Sequence, residues 1–571
     1  MGDTHPIEGR VAPMVRILQS SLVFLVSAAV FGGIVLAAGF AADSPVADAA
    51  KSRDLARVRE LVALGEDVDA SSGDGSTALL WAAYHFDVEM ARALLEAGAD
   101  ANVPNDYGVT PLLQAARTGD AAMTEVLLAA GADPTLTHSE GETPLMAASR
   151  SGRVDAVRRL LEAGADVNAA DAFQNQTALM WASAEGHVDV VDLLLGAGAD
   201  PDIQARVNPL TERRNADHPT GGFTALMWAA RNGREAAARR LVEGGADTGQ
   251  RNGDGATAAM IAIYNDRFDL AATLVDLGAD VNDGSLYTAV EMRASTTDQF
   301  AFDGSRLRPN HENTLTALDL VELLLERGAD PHQWFAGQFH STSMPNGDRF
   351  ANTPFFRAAA AADVEALEVF AAHVPDLDQV LVVPAEPDAE AEDTSPAGGR
   401  GRGNANAGRT ATMTAIAGGR GPAMTGGPGY IRSGDAPYRE SGSRRPEDAV
   451  AVLLAAGANP DAKAPDGATL LHQAAQAGNL DIIRALADAG VDFDQPNADG
   501  LTALDVAEGR RPEGADAQGG RGDGANGRGG RGRGGRGGAS PEAANLLREL
   551  MGLPPAPAAA LPAPEAPGDA Q

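Results

Sequence analysis

Few residues of this chain have a type and spacing that could perform chemistry. Gly522, Gly524 and Gly527 have the G-x-G-x-x-G spacing of loops that bind the pyrophosphate of a dinucleotide. Such a loop follows a strand and opens a helix, because the amides of the helix N-terminus hold the phosphate. These glycines lie in a tract of glycine and arginine that predicts neither element, so they do not indicate a nucleotide site.

One group of side chains has the chemistry of metal ligands. His332 and His340 lie near Asp330 in an irregular segment, but no known metal site has this ligand spacing. The chain also has zero cysteines, which excludes thiolate ligands and disulfides. We therefore expect no metal site, no cofactor and no enzymatic activity.

Acidic residues dominate the charge. The 79 Asp and Glu residues outnumber the 45 Lys and Arg residues, and the formal net charge is -34 at pH 7. An acidic surface repels phosphate, so we expect no nucleic-acid partner. The Arg/Gly tracts at 400–420 and 521–536 are similar to RNA-binding segments, but they almost lack the interleaved aromatic side chains that stack on bases. We interpret them as flexible, solvated loops.

The stretch at 177–201 contains two short helical patterns separated by a glycine. The first carries Leu179 and Ala182 on one face, and the second covers 188–195. We expect Leu193, in the second pattern, to be a core residue. Neither helix alone buries enough apolar surface to be stable, so the pair requires neighbours of the same kind.

The chain supplies those neighbours as a repeat. A threonine that opens a T-A-L or T-P-L pattern returns mostly at intervals of 33 residues, and G-A-D or a variant follows 21 residues after most of these threonines. The threonines are Thr77, Thr110, Thr143, Thr177, Thr224, Thr257, Thr469 and Thr502. Weaker copies have paired helical segments at 285–294 with 316–327, within 353–373, at 412–418 with 446–456, and at 502–508 with 540–551. With a degenerate first copy at Ser44, we expect about twelve repeats.

A 33-residue period that combines T-P-L-H-x-A with G-A-D resembles the ankyrin-repeat family. The resemblance covers almost all of the chain after about residue 43, but the family histidine is usually Leu or Met here and survives only as His472. It implies an all-α fold, a solenoid of about twelve helix-turn-helix repeats with short β-hairpin loops and disordered insertions. It also implies a non-catalytic scaffold that binds a partner protein, and we expect a monomer.

The repeats divide the chain into five predicted segments: a signal peptide or membrane anchor at 1–42, N-terminal repeats at 43–383, a disordered linker at 384–409, C-terminal repeats at 410–553, and a Pro/Ala-rich disordered tail at 554–571. Two Gly/Arg-rich insertions lie at 419–445 and 509–539, and another insertion lies at 295–313. The long interval after Thr177 predicts an extended hairpin loop at 206–221. Because the three insertions fall between the two helices of a repeat, we expect them on one edge of the solenoid.

Residues 17–42 carry no charge and follow Arg10 and Arg16. Gly39 and Ala41 are the small residues required before a cleavage site, so we predict a signal peptide that is cut after Ala41. The run is also long enough to span a bilayer, and an uncleaved inner-membrane anchor at 17–42 is the alternative. We expect a bacterial protein that is exported to the periplasm or secreted, with no other contact with a membrane.

The family resemblance also implies a binding surface, because hairpin tips and the exposed ends of the first helices line a groove in ankyrin proteins. The residues at the matching positions are Tyr84, His85, Asp106, Tyr107, Arg117, Thr118, Glu140, Arg150, Ser151, Phe173, Glu185, Arg231, Asn232, Tyr264 and Asn265. Arginine and tyrosine are common interface anchors, and Arg117, Arg150 and Arg231 stand out in an acidic chain. Ordinary solvated helix ends are the alternative. A secreted effector that binds a host-cell protein is the alternative function.

Trp81, Trp181 and Trp228 occupy the same position in three repeats. A side chain that recurs at one position usually packs between neighbouring helices. We therefore predict that these tryptophans fill the core, with a contribution to the binding groove as the alternative.

Overall fold

The structure is a computed structural model, and its described residues are 44–208, 220–294, 313–335, 353–382, 407–417, 445–510 and 540–555. Within these ranges the chain forms 24 helices and two short strands. The helices follow one another as twelve pairs, so the predicted all-α repeat fold is confirmed.

Each pair has a first and a second helix. The first helices are α1 (Pro45–Lys51), α3 (Ala78–Tyr84), α5 (Pro111–Thr118), α7 (Pro144–Ser151), α9 (Ala178–Glu185), α11 (Ala225–Asn232), α13 (Ala258–Tyr264), α15 (Ser285–Ala294), α17 (Pro354–Ala360), α19 (Ala411–Ala417), α21 (Leu470–Ala477) and α23 (Ala503–Ala507). The second helices are α2 (Leu55–Ala63), α4 (Val88–Glu96), α6 (Ala121–Ala129), α8 (Val154–Glu162), α10 (Val188–Gly196), α12 (Glu235–Glu243), α14 (Phe268–Asp276), α16 (Ala317–Glu326), α18 (Val364–His373), α20 (Pro446–Ala455), α22 (Leu480–Asp488) and α24 (Pro541–Leu550).

The chain divides into two compact units. One contains residues up to 182 together with 192–199, and the other contains 183–191 and the residues from 200 onward. In the first unit α1 packs on α3, α3 on α5 and α5 on α7, while α4 packs on α6 and α6 on α8. In the second unit the same two rows run from α11 and α12 to α23 and α24. In each unit these helix pairs therefore form a stack, because each packs on the next.

Threonine begins most of the first helices because its side chain satisfies a free backbone amide of the first turn. In α3 the amide of Leu80 donates to the hydroxyl of Thr77 at 3.2 Å, and in α5 the amide of Leu113 donates to Thr110 at the same distance. Proline is the first residue of α5 and α7, a position where its missing N–H has no helical partner. The sequence motif thus fixes where each first helix starts.

His472 shows what the family histidine does at its position. The amide of Thr469 donates to Nδ1 of His472 at 3.2 Å, and Nε2 lies 2.9 Å from the carbonyl oxygen of Leu501 in the next repeat. At the same position in other repeats, Leu113 and Met146 are buried apolar side chains. Apolar contact replaces the polar bridge in those repeats.

The core of each pair is built from leucine, methionine and many alanines, which let neighbouring helices approach closely. Leu194 in α10 has no exposed surface. The prediction for Leu193 is wrong, because this side chain is only half-buried. Successive residues of an α-helix are rotated by about 100°, so a register error of one residue moves a side chain from the core to the edge of the helix.

The predicted hairpin loop at 206–221 is antiparallel at its base. Strand β1 (Val207–Asn208) pairs with β2 (Thr220–Gly221), and residues 209–219 lie outside the described part of the chain. In the predicted linker at 384–409, the described residues reach back to the preceding repeat. The amide of Leu381 donates to the carbonyl of Arg409, and the amide of Gly408 donates to that of Leu381, both at 2.9 Å.

Several sequence predictions concern residues outside the described ranges. These are the segment at 1–42, most of the linker at 384–409, the insertions at 295–313, 419–445 and 509–539 apart from their ends, and nearly all of the tail at 554–571. In the part of the chain that the structure describes, no helix is both long and apolar enough to cross a membrane. The predicted signal peptide or anchor therefore stays a prediction.

Two buried ion pairs, which the sequence analysis did not predict, join α15 to α17 and to the start of α18. Arg357 binds Glu291, with Nη2 3.0 Å from Oε1, and Arg293 binds Asp363 through two contacts of 2.9 Å. Burial alone would lower the pKa of Arg357, but the Glu291 carboxylate holds that pKa above its ordinary value. Each charge depends on its partner, because an unpaired charge in an apolar interior is costly.

Leu194→Ala should lower the free energy of unfolding by about 2–5 kcal/mol, since it removes a fully buried side chain and leaves a cavity. Leu193→Ala, one residue away in the same helix, is the matched control and should cost clearly less. Urea denaturation followed by circular dichroism measures both losses. Equal losses of stability would contradict the orientation of α10, in which Leu194 faces the core and Leu193 lies at its edge.

Arg357→Leu should destabilise the protein by about 3–5 kcal/mol, because it leaves the Glu291 carboxylate buried without its partner. The double variant Glu291→Leu/Arg357→Leu removes both charges and should recover most of that loss. The comparison is made by urea denaturation of the single and double variants. A double variant as unstable as the single one would show that the pair is not the cause.

Candidate functional site

The first unit presents a polar and aromatic surface along the exposed face of its first helices and the residues flanking them. We call it the first-helix surface, and its members are Lys51, Trp81, Tyr84, His85, Arg117, Glu142, Arg150 and Trp181. The sequence predicts six of these as binding residues or as possible groove residues: Trp81, Tyr84, His85, Arg117, Arg150 and Trp181. Their contacts form two clusters.

The first cluster surrounds Trp81. The Lys51 ammonium lies 5.0 Å from the centre of the indole ring, and the His85 ring stacks on it at 5.9 Å. Tyr84 meets the indole edge-on at 5.6 Å and is 54% exposed. His85 Nε2 also lies 2.9 Å from the backbone oxygen of Lys51, which ties the second repeat to the first. Cation and ring contacts of this kind hold the aromatic side chains in place at the surface.

The second cluster is organised by Glu142. Its carboxylate accepts from Arg117 Nε at 3.0 Å and Nη2 at 2.6 Å, and it lies 3.5 Å from Arg150 Nη2. The guanidinium of Arg150 in turn lies 5.2 Å from the centre of the Trp181 ring. A connected row of side chains, from Arg117 to Trp181, therefore crosses three successive repeats.

The predicted core role of the three tryptophans is wrong. Trp81, Trp181 and Trp228 are half-buried and none belongs to the buried core. Each ring has a cation over it instead, from Lys51 or from the arginine at the helix end. The indole N–H groups of Trp81 and Trp228 are buried without a hydrogen-bond partner among the described residues. The recurrence of tryptophan at one repeat position therefore indicates half-buried side chains at the surface that contact cations.

Four candidate residues lie in the hairpins of the first unit and are exposed: Asp106, Tyr107, Glu140 and Phe173. Tyr107 and Phe173 expose 65% and 63% of their surface. The amide of Asp106 donates to the carbonyl of Asp74 at 3.1 Å, so backbone contacts join adjacent hairpins. Tyr107 and Phe173 are accessible to a partner but belong to neither of the two clusters.

The two candidate residues with aliphatic hydroxyl groups in the first unit, Thr118 and Ser151, donate hydrogen bonds within their own helices. Thr118 donates to the carbonyl of Ala115 at 2.9 Å, and Ser151 donates to that of Ala148 at 2.8 Å. Their donors are therefore not available to a partner without breaking these bonds.

In the second unit, Arg231 lies over aromatic rings as Arg150 does in the first. Its guanidinium is 5.4 Å from the centre of the Trp228 ring and 6.0 Å from that of Phe223. Asn232 donates to the carbonyl of Ala184 at 2.8 Å, while Glu185 is exposed.

Tyr264 and Asn265 are not presented by the second unit as the sequence predicts. The Tyr264 hydroxyl is buried, and burial raises its pKa well above the ordinary value. The Asn265 amide donates to the carbonyl of Ile261 at 2.8 Å, within its own repeat.

The histidine considered as a metal ligand lies among aromatic rings. His332 meets Phe355 edge-on at 5.7 Å, and burial lowers its pKa. His340 lies outside the described residues. Within the described ranges no group of three or more His, Asp or Glu side chains has an arrangement that could hold a metal ion.

Sequence reasoning missed Lys51 and Glu142 as members of the surface. Lys51 stands 33 residues before Tyr84, so it occupies the same repeat position in the degenerate first copy. Glu142 directly precedes Thr143, a position that is uncharged in the other threonine repeats. A single acidic residue between two repeats that carry arginine could therefore have indicated that Glu142 binds these arginines.

The repeat geometry and the family comparison agree. The family model for ankyrin repeats (3 copies) matches residues 46–138, 112–205, 207–285 and 442–515, which together are more than half of the chain. The chain belongs to the ankyrin-repeat family. It is a scaffold for protein–protein interaction, as the repeats of this family are.

Two known proteins illustrate the similarity. A stretch of 76 residues is 38% identical to the E3 ubiquitin-protein ligase KEG of Arabidopsis thaliana, and it covers 13% of this chain and 5% of that protein. The crystal structure of the human ASB11 ankyrin repeat domain matches at 28% identity with a TM-score of 0.32, over 38% of this chain and 91% of that one.

Proposed function

We propose that this chain is a non-catalytic scaffold, exported from a bacterial cell, that binds a partner protein through the first-helix surface of its first unit. The observation that carries the proposal is the row from Arg117 through Glu142 and Arg150 to Trp181. Tryptophan, tyrosine and arginine supply most of the binding energy at protein interfaces, and here they lie together on one face of an acidic protein.

The contacts within the row favour tight recognition. Arg117 and Arg150 are held by Glu142, and Arg150 is also held by the ring of Trp181. A side chain that is already fixed in its bound geometry loses less conformational entropy when a partner binds. The row therefore supports recognition by a preformed surface.

The proposal of export depends on the sequence. The uncharged run at 17–42 follows two arginines and ends in small residues, as a signal peptide does. We propose a periplasmic or secreted protein, with an inner-membrane protein anchored by 17–42 as the alternative.

The mature protein should begin near Ala42, because Gly39 and Ala41 precede the proposed cut and the first repeat opens at Ser44. N-terminal sequencing of the protein recovered from the periplasm or medium measures this directly. A chain that retains residues 17–41 would contradict cleavage and favour the anchor.

Arg150→Ala together with Trp181→Ala should weaken partner binding by at least 2 kcal/mol, which is a loss of about thirtyfold. The partner is first captured from periplasmic extract with a photo-crosslinking amino acid in place of the exposed Tyr84, and its affinity is then measured by calorimetry. The crosslinker in place of Leu64, which is exposed after a second helix, is the matched control.

Arg59→Ala is the control for the binding measurement, because Arg59 pairs with Glu89 on the second helices and is exposed. It should leave affinity unchanged. Capture from position 64 but not from 84, or normal affinity in a folded double variant, would exclude the first-helix surface.

A further inference from the structure

A change of residue type occurs at the start of the second helices. The residue before the helix is aspartate in the first three repeats, and its carboxylate caps the helix; for example, Asp87 Oδ1 accepts from the amide of Met90 at 2.9 Å. The next four repeats place a basic residue at this position: Arg153, His187, Arg234 and Arg267. None of the three arginines caps its helix through its side chain.

This change lowers stability. A capping side chain satisfies a free amide of the first turn, and its loss destabilises the helix. A positive charge at the N-terminus is also repelled by the helix dipole, which favours an anion at that end. A stability cost repeated in successive repeats indicates a function for the basic residues.

The arginines of the second unit are fixed in place. The Arg234 side chain passes close to Gly186: a Cβ atom on Gly186 would lie 2.7 Å from Cδ of Arg234. The Nε of Arg234 donates to the carbonyl of Ala184 at 3.1 Å. The Arg267 side chain passes Gly233 in the same way: a Cβ atom on Gly233 would lie 2.6 Å from Nε of Arg267. Each guanidinium is thus held over the turn of the preceding repeat.

Neither arginine has a carboxylate partner among the described residues, although acids outnumber bases 79 to 45. Two nearby acids have other partners: Glu235 binds Arg239 at 2.8 Å, and Asp269 accepts from the backbone amides of residues 314 and 315. The Arg267 Nε atom is buried without a partner. Burial and the like charge of Arg234 lower the pKa of Arg267, with a smaller opposing effect from Asp266.

We propose that Arg234 and Arg267 form a docking surface for an extended acidic segment of a partner protein. Helices α12 and α14 are packed neighbours, and packed helices lie about 8–10 Å apart. A polyproline II segment rises about 9 Å in three residues and returns a side chain to the same face. An acidic residue at every third position of such a segment therefore matches the spacing of the arginines.

The charge of the chain favours a short acidic segment over a nucleic acid. A net charge of -34 repels a long polyanion, while two or three carboxylates need to meet only the local cations. This surface shares no residue with the first-helix surface, so the two proposals fail independently.

The test uses the full chain and a fluorescein-labelled peptide of three Pro-Pro-Glu repeats, measured by fluorescence anisotropy at low salt. A peptide of the same composition with its three glutamates adjacent is the matched probe. The repeat peptide should bind about tenfold more tightly than the clustered one. Arg234→Asp/Arg267→Asp should weaken it about tenfold, which corresponds to about 1.4 kcal/mol.

Arg239→Asp/Arg240→Asp is the matched control, because it changes the same net charge on α12 at arginines that are paired with glutamates. The Arg234→Asp/Arg267→Asp variant should remain folded, since each aspartate restores a cap and raises the melting temperature by about 2–4 °C. Absent binding of the repeat peptide, equal binding of both peptides, or equal weakening by the control variant would overturn the proposal. So would stronger binding of a single-stranded oligonucleotide that depends on the same two arginines.

Discussion

The dependence of each helix pair on its neighbours is the constraint behind the rest of this structure. A pair of helices of five to ten residues buries too little apolar surface to be stable alone, so its core forms only against the next pair. The recurring elements of the motif serve that contact. Threonine starts the first helix, alanine allows close approach, and the hairpin amide of Asp106 reaches the carbonyl of Asp74 in the repeat before it.

Because these positions are fixed, function is confined to the positions that the stack leaves free. They are the exposed face of the first helices, the hairpin tips and the turns between helices. The row from Arg117 to Trp181 and the arginines at 234 and 267 both use such positions, and each residue is held by the repeat beside it. The same contact between repeats that stabilises the stack therefore orients the side chains available to a partner.

The sequence predicts the fold well because the repeat is local. Threonine, glycine and the helical period place twelve helix pairs, including the degraded pair Ser285–Ala294 and Ala317–Glu326. It predicts poorly which side chains meet across repeats. Leu193 and the tryptophans were assigned to the core from their period alone, and the Arg357–Glu291 pair joins residues 66 positions apart. Such contacts depend on the rotation of each helix, which a one-dimensional pattern does not specify.

We infer that several repeats have less stable second helices because a basic residue replaces the capping aspartate and positions a cation. Native-state hydrogen exchange of the full chain tests it most directly, by comparing the first-turn amides of α12 and α14 with those of α4 and α6, which aspartate caps. Our account predicts faster exchange at the start of α12 and α14, because their free amides have no capping side chain. Equal or slower exchange there would show that the basic residues carry no cost, and it would contradict the account.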